Sequence, residues 1–160
     1  MVDRAGLANE LEVAIKARTP IVTIQSYEWE RVQGAISVAC KRTEFEYFKW
    51  NYEDGLKCYD KETGFLTEKH ELLDQCTVDL DAEVGNLIDW FVREFKKPAV
   101  FHLEDYHHFF NQEAHEDSID RPSSTSEHPR WASMWMWRVL ARLKPKDGKC
   151  FVISGPSFDM

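Results

Sequence analysis

Two adjacent carboxylates, Glu104 and Asp105, close an apolar run that begins at Pro98 and reads Pro-Ala-Val-Phe-His-Leu-Glu-Asp. His102 lies inside the run, and His107 and His108 follow it closely. Carboxylates and imidazoles at this density are the residue types that hold a divalent metal or activate a water. The run itself is rich in β-branched and aromatic residues and is entered from a proline, which predicts a strand buried on both faces in a parallel α/β sheet. Ligand crevices of such sheets lie at the carboxyl ends of the strands. Glu104 and Asp105 would therefore sit where a phosphate-handling enzyme keeps its magnesium-binding and water-activating groups. The plainer reading makes them the polar end of a strand, hydrogen-bonded to neighbouring loops. No separated second pair of ligands completes a site, so no metal is expected. Glu104 and Asp105 remain fallback catalytic candidates, and His102, His107 and His108 fallback ligands, for a metal-dependent hydrolase or nuclease.

The rest of a nucleotide-hydrolysing site is missing from its expected place. Such a site needs glycines after the first strand, so that consecutive N–H groups can close around phosphates, and a lysine to reach the outer phosphates. After the short strand Ile21-Val-Thr-Ile-Gln25 stands Ser26-Tyr-Glu-Trp-Glu-Arg31, with neither glycine nor lysine. Glu28 and Glu30 fall where polyphosphate would lie, and they repel it. Gly148-Lys149 is followed by Cys150 instead of a magnesium-binding hydroxyl, and it opens a strand instead of a helix. The turn Ser26, Tyr27, Glu28, Trp29, Glu30, Arg31 is read as a degenerate phosphate loop. No cofactor and no ATPase activity are expected of this chain. A crevice beside Ser26 that senses a small molecule is a third reading.

These residues must be positioned by alternating helices and strands. Leu7, Leu11 and Ile15, with Ala8 and Ala14, recur at helical spacing in a segment ending near Arg18. Thr19-Pro20 breaks it before the first strand. Ser26 is placed as the N-cap of a second helix that carries Trp29, Val32, Ile36 and Ala39 or Cys40 inward. Phe45 to Trp50 is a second strand, and Leu56–Asp60 with Phe65–Thr67 form a small hairpin around Lys61-Glu-Thr-Gly64. Val84, Leu87, Ile88, Phe91 and Phe95 give a long helix capped by Asp79 or Asp81. Asn111 to His128 is acidic, serine-rich and aperiodic, and is read as a mobile excursion. Trp131 and Trp135 share one face of a last helix. Met136 and Trp137 lie off that stripe and are candidates for contact with a partner, because Trp and Met are favoured at binding surfaces. Cys150 to Ser154 is a final buried strand. The fold class expected is three-layer α/β, with a mainly parallel sheet of about four strands and the hairpin inserted.

At 160 residues and 43% hydrophobic content the chain can bury one core, so residues 1–160 are read as a single domain. Its 20 basic against 28 acidic residues give a net charge of −8, the wrong sign for a nucleic-acid partner. No apolar run is long enough to cross a bilayer, and the first residues lack the order of a secretory signal. Cys40, Cys58, Cys76 and Cys150 form no close pair and are expected to be reduced thiols, in keeping with a cytoplasmic protein.

Leu11 to Arg31 resembles the opening of the AAA-type ATPases encoded by conserved reading frames of chloroplast and cyanobacterial genomes, whose first module is a degenerate AAA-like domain. Three further stretches agree in order: Trp50-Asn-Tyr-Glu-Asp-Gly-Leu56, Val100-Phe-His-Leu-Glu-Asp-Tyr-His107 and Phe151-Val-Ile-Ser-Gly-Pro156. The resemblance implies a P-loop-type fold in which Glu104-Asp105 is a relic of the Walker B position and Ser154 lies near the end of the sensor strand. It also implies an assembly role: a protein partner, an AAA-type ATPase or a ring subunit, in the cytoplasm or the plastid stroma. Family members continue into a complete ATPase domain with a phosphate loop, and this sequence shows none up to Met160. The family's activity is therefore not carried over to it.

Overall fold

Every residue of strand β5, Ala99–Glu104, is buried, as is every residue of β6, Lys149–Gly155. The computed structural model describes residues 4–51, 53–79, 84–104 and 148–155. The expected excursion at 111–128, the helix around Trp131 to Leu143, and the cap at Asp81 lie outside the described residues. A strand buried on both faces needs a helical layer on each side, and the chain supplies both. Helices α1 (Arg4–Lys16) and α2 (Trp29–Thr43) cover one face. The short α3 (Glu71–Asp74) and α4 (Val84–Arg93) cover the other.

The strands join one sheet in the order β1-β6-β5-β2-β3-β4, where β1 is Ile21–Gln25, β2 Glu46–Asn51, β3 Gly55–Asp60 and β4 Phe65–Thr67. The pairs β1–β6, β6–β5 and β5–β2 are parallel, whereas β2–β3 and β3–β4 are antiparallel. Among the described residues the sheet therefore has six strands, not about four. The hairpin is not a separate insertion: its first strand pairs with β2 from Phe48↔Cys58 to Asn51↔Gly55 and continues the sheet. Its side chains go to both layers, Leu56 and Cys58 to one core and Tyr59 to the other.

Successive strand residues alternate between the two cores, as a pleated backbone requires. Tyr47, Val100, Cys150 and Val152 meet Leu11, Ile15, Val32 and Ile36. Phe48, Phe101, Leu103, Phe151 and Ile153 meet Leu87, Ile88 and Phe91. Phe91 is at the centre of the second core, with ring centroids 5.9 Å from Phe48, 5.1 Å from Phe101 and 5.4 Å from Phe151, all edge-on. These offsets suit the ring quadrupole.

Local chemistry sets the ends of the first two helices. Arg18 takes φ 61° and Glu44 φ 64°, each closing a helix in the left-handed region. Thr19 N–H then donates to Ala14 O and Arg18 N–H to Ile15 O, which satisfies the last carbonyls of α1. At the other end of α2 the cap position belongs to Glu28, which makes no side-chain cap bond. Ser26 was expected there, but its hydroxyl accepts from Glu28 N–H at 2.9 Å and so closes a turn just ahead of the helix. Helix α3 was not anticipated. Its four residues are too few for a periodicity, yet Leu72 and Leu73 are buried and His70 Nδ1 caps it by accepting from Leu72 N–H.

Replacing Phe91 by Ala removes the ring that ties α4 to β2, β5 and β6. It is expected to cost about 3–5 kcal/mol, read as a lower urea midpoint at unchanged denaturant slope.

Candidate functional site at the strand ends

Toward the carboxyl ends of β2, β5 and β6, Lys49, His102, Glu104 and Ser154 lie on the face covered by α1 and α2, and Tyr47, near the amino end of β2 on the same face, reaches them with its hydroxyl. All five are buried. A buried ionisable group must find its partner inside the protein, and here two linked sets form.

In the first set, Lys49 Nζ lies 3.2 Å from Glu104 Oε2 and donates to Gln33 Oε1 of α2 at 2.9 Å. Glu104 Oε1 accepts from Asn51 Nδ2 at 2.9 Å, and Asn51 is itself fixed by accepting Asp54 N–H at 2.7 Å. Glu104 Oε2 faces the ammonium off-line, so it has charge compensation but accepts no hydrogen bond. The Trp29 ring stands 6.0 Å from the same ammonium.

The second set is a chain of hydroxyl, imidazole and hydroxyl. Tyr47 Oη is 3.1 Å from His102 Nδ1, and His102 Nε2 is 2.6 Å from Ser154 Oγ. Burial, helped by the nearby Lys49 charge, pushes His102 down to about 3, so the ring is neutral. A neutral ring has one donor and one acceptor nitrogen. One of the two hydroxyls therefore donates to it and the other accepts from it. Burial, with Cys40 and Glu104 nearby, raises Tyr47 well above its ordinary range and keeps its hydroxyl protonated.

The residues singled out from sequence are distributed unevenly over this arrangement. Glu104 is at its centre. His102 is present with both ring nitrogens engaged, so it could ligate a metal only by giving up one of those bonds. Asp105, His107, His108, Met136 and Trp137 lie outside the described residues. Among the described residues, no group of three or more His, Cys, Asp or Glu is arranged to hold a metal ion. The turn from Ser26 to Arg31 adjoins the site through Trp29. Its Ser26 N–H donates to Gly155 O, and Glu28 is ion-paired with Arg31 at 2.8 Å. Trp29, expected inward, is 57% exposed, and Tyr27 is 83% exposed. Sequence reasoning missed Lys49, Gln33, Asn51 and Tyr47. The one available signal was a lysine between Phe48 and Trp50 in an aromatic strand.

The thiols take no part. All four cysteines are free, and burial pushes Cys58 and Cys150 up to about 12, far from the reactive thiolate. No helix among the described residues is long and apolar enough to cross a membrane.

A family model described as the SpoVK-like AAA ATPase, N-terminal domain, matches residues 7–127. The chain belongs to this family. The match runs from α1 through β5 and so includes Lys49, His102 and Glu104. It bears out the AAA-type part of the resemblance, and the strand order is compatible with an AAA-like fold. No curated protein and no solved structure matches the chain.

Two outcomes follow for the SpoVK-like domain. Lys49→Met leaves the Glu104 carboxylate buried without its counter-charge and is expected to destabilise by about 3–5 kcal/mol, with much of that recovered when Glu104→Gln is added; denaturant unfolding of the single and double variants reads both. The His102 ring titrates near 6.5 when unfolded and near 3 when folded, so between those values the unfolded chain binds the extra proton and stability falls as pH drops. A His102→Gln variant should flatten that limb by up to about 1.4 kcal/mol per pH unit, measured by unfolding at a series of pH values.

Proposed function

We infer that this SpoVK-like N-terminal domain is a non-catalytic module that binds protein: a regulatory or assembly domain of an AAA-type ATPase, or a free-standing relative that modulates such a ring. The observation that carries the reading is the Lys49 ammonium against Glu104. At the strand end where a magnesium ion would neutralise a catalytic carboxylate, a resident lysine does so, held by Gln33. A divalent ion would have to displace a charge that cannot diffuse away. The turn after β1 supports the same conclusion. It has no glycine and no lysine and carries two carboxylates, Glu28 is already paired with Arg31, and Ser26 N–H is committed to β6. On this reading the loop is degenerate, and the exposed Tyr27 and Trp29 belong to a surface that meets protein.

The partner is an AAA-type ATPase or ring subunit, consistent with the family to which the chain belongs. The plastid and cyanobacterial branch of those ATPases is the group in which to look first, and the compartment would be the cytoplasm or the plastid stroma.

Titrating the chain with ATP and magnesium in a calorimeter should give no binding heat, and a micromolar dissociation constant would refute the non-catalytic reading. Mixed with a SpoVK-like AAA ATPase, the chain should co-elute with it or change its hydrolysis rate. Neither effect would occur if the module had no part in such an assembly.

A further inference from the structure

Among the described helices α3 is the shortest, and a single residue begins it. His70 is extended, with φ −148° and ψ 144°, and its Nδ1 accepts Leu72 N–H at 3.0 Å. Its carbonyl oxygen accepts from Leu73 N–H at 3.0 Å and from Asp74 N–H at 3.2 Å, so the ring and the carbonyl of one residue hold three successive amides. At the other end Gln75 O accepts from Trp90 Nε1 at 3.3 Å, which ties the turn to α4. Between these ends Leu72 and Leu73 are buried in the core centred on Phe91. Four residues have little helical stability of their own, so the turn depends on such attachments. Ser, Thr, Asp and Asn are the preferred caps, and their oxygens go on accepting throughout the neutral range. An imidazole nitrogen differs, because it accepts only while it carries no proton. The bond from Leu72 N–H therefore requires a bare Nδ1 and puts the ring hydrogen on Nε2.

We propose that His70 makes α3 a proton-sensitive latch: the turn is closed onto the core while the ring is neutral, and its first turn is released when the ring is protonated. Imidazole changes charge close to physiological pH. A proton on Nδ1 turns the acceptor of the cap into a donor that faces the Leu72 N–H, so the bond is lost and two donors oppose each other. The released ring has groups to turn to. It lines a cleft with Glu46 of β2, Tyr59 and Asp60 of β3, Lys61 and Glu62 of the turn after β3, Lys69 before α3, Glu71 of α3, and Lys97 before β5. Lys61 is already set against Glu46 at 3.9 Å. An imidazolium that leaves the cap thus finds carboxylates on the same cleft, whereas a neutral ring does better as an acceptor for the backbone. Loss of the cap loosens the amide that the ring holds and weakens the hold on Leu72 and Leu73. The latch is built from α3 and its surroundings, not from the chemistry at the strand ends, and so does not depend on the function proposed above.

Amide hydrogen exchange followed by NMR on the full chain reads the latch directly. With the intrinsic exchange rate at each pH divided out, protection of the Leu72 amide should fall about five- to tenfold between about pH 8 and about pH 5.5, and the amides of β5 should not follow it. His102 stays neutral over that range, so the strand-end network does not contribute. His70→Asn keeps an accepting oxygen at the cap and removes the titration, and should hold Leu72 equally at both pH values. His70→Ala should leave Leu72 weakly protected at both. Ring nitrogen shifts of the parent at the higher pH should place the hydrogen on Nε2. Equal protection of Leu72 at both pH values in the parent, a fall shared by β5, a fall that persists in His70→Asn, or a hydrogen on Nδ1 at the higher pH would overturn the proposal.

Discussion

Strands β5 and β6 are covered on both faces, and that enclosure governs what their polar side chains can do. Little or no water reaches them, so His102, Glu104 and Ser154 depend on neighbours in the sheet for their hydrogen bonds and charge compensation. The result is a closed polar layer inside an otherwise apolar core. Tyr47 and Ser154 serve the two nitrogens of one ring, and Asn51 and Lys49 serve the two oxygens of one carboxylate. The layer also fixes register. A one-residue slip of β2 against β5 would turn Lys49 into the aromatic core and leave Glu104 buried without a counter-charge.

A buried ion pair is weak evidence for stability, because desolvating both groups offsets much of their attraction. Its effect here is better described as specificity. Lys49 stands among Tyr47, Phe48 and Trp50 in β2, and the alignment with Glu104 across the β2–β5 ladder, with Gln33 on α2, makes its burial tolerable. The off-line approach of the ammonium is consistent with this, since charge is compensated while Oε2 accepts no hydrogen bond. The helical layer participates as well. Gln33 is on α2 one turn from Trp29, so the start of that helix is tied to the strand ends by the same lysine.

Much of this arrangement was legible in the sequence where it rested on repetition. The apolar spacing of Leu7, Leu11 and Ile15 and of Val84, Leu87, Ile88 and Phe91 marked the faces that are buried, and the dense apolar runs entered from Pro98 and from Cys150 marked strands β5 and β6. What repetition does not encode was missed. Helix α3 is one turn long and is held by a histidine cap. Ser26 satisfies the N–H of Glu28 two residues on, so the helix starts later than its best capping residue suggests. Trp29 fits the inward stripe of Val32 and Ile36 by spacing, yet on the first turn its ring lies beside Lys49 with more than half its surface open. Glu104 was identifiable as chemistry but not as one half of a pair, because its partner is 55 residues earlier and only strand order brings them together.

Membership of the SpoVK-like family concerns the scaffold, and a scaffold does not determine the chemistry at its strand ends. What a site can do is limited by which charges are already matched. A carboxylate facing solvent at the end of a parallel strand is available to a metal, a water or a substrate. The same carboxylate with a lysine 3.2 Å away and an asparagine on its other oxygen has already gained most of the stabilisation that a ligand could offer. Converting one into the other requires no change of fold, only a long cation on the neighbouring strand at the right parity. Lys49 meets that condition because β2 and β5 run parallel and Lys49 is opposite His102, one pleat short of Glu104 on the same face. The geometry that would make the strand end a ligand site thus also lets it be closed from within.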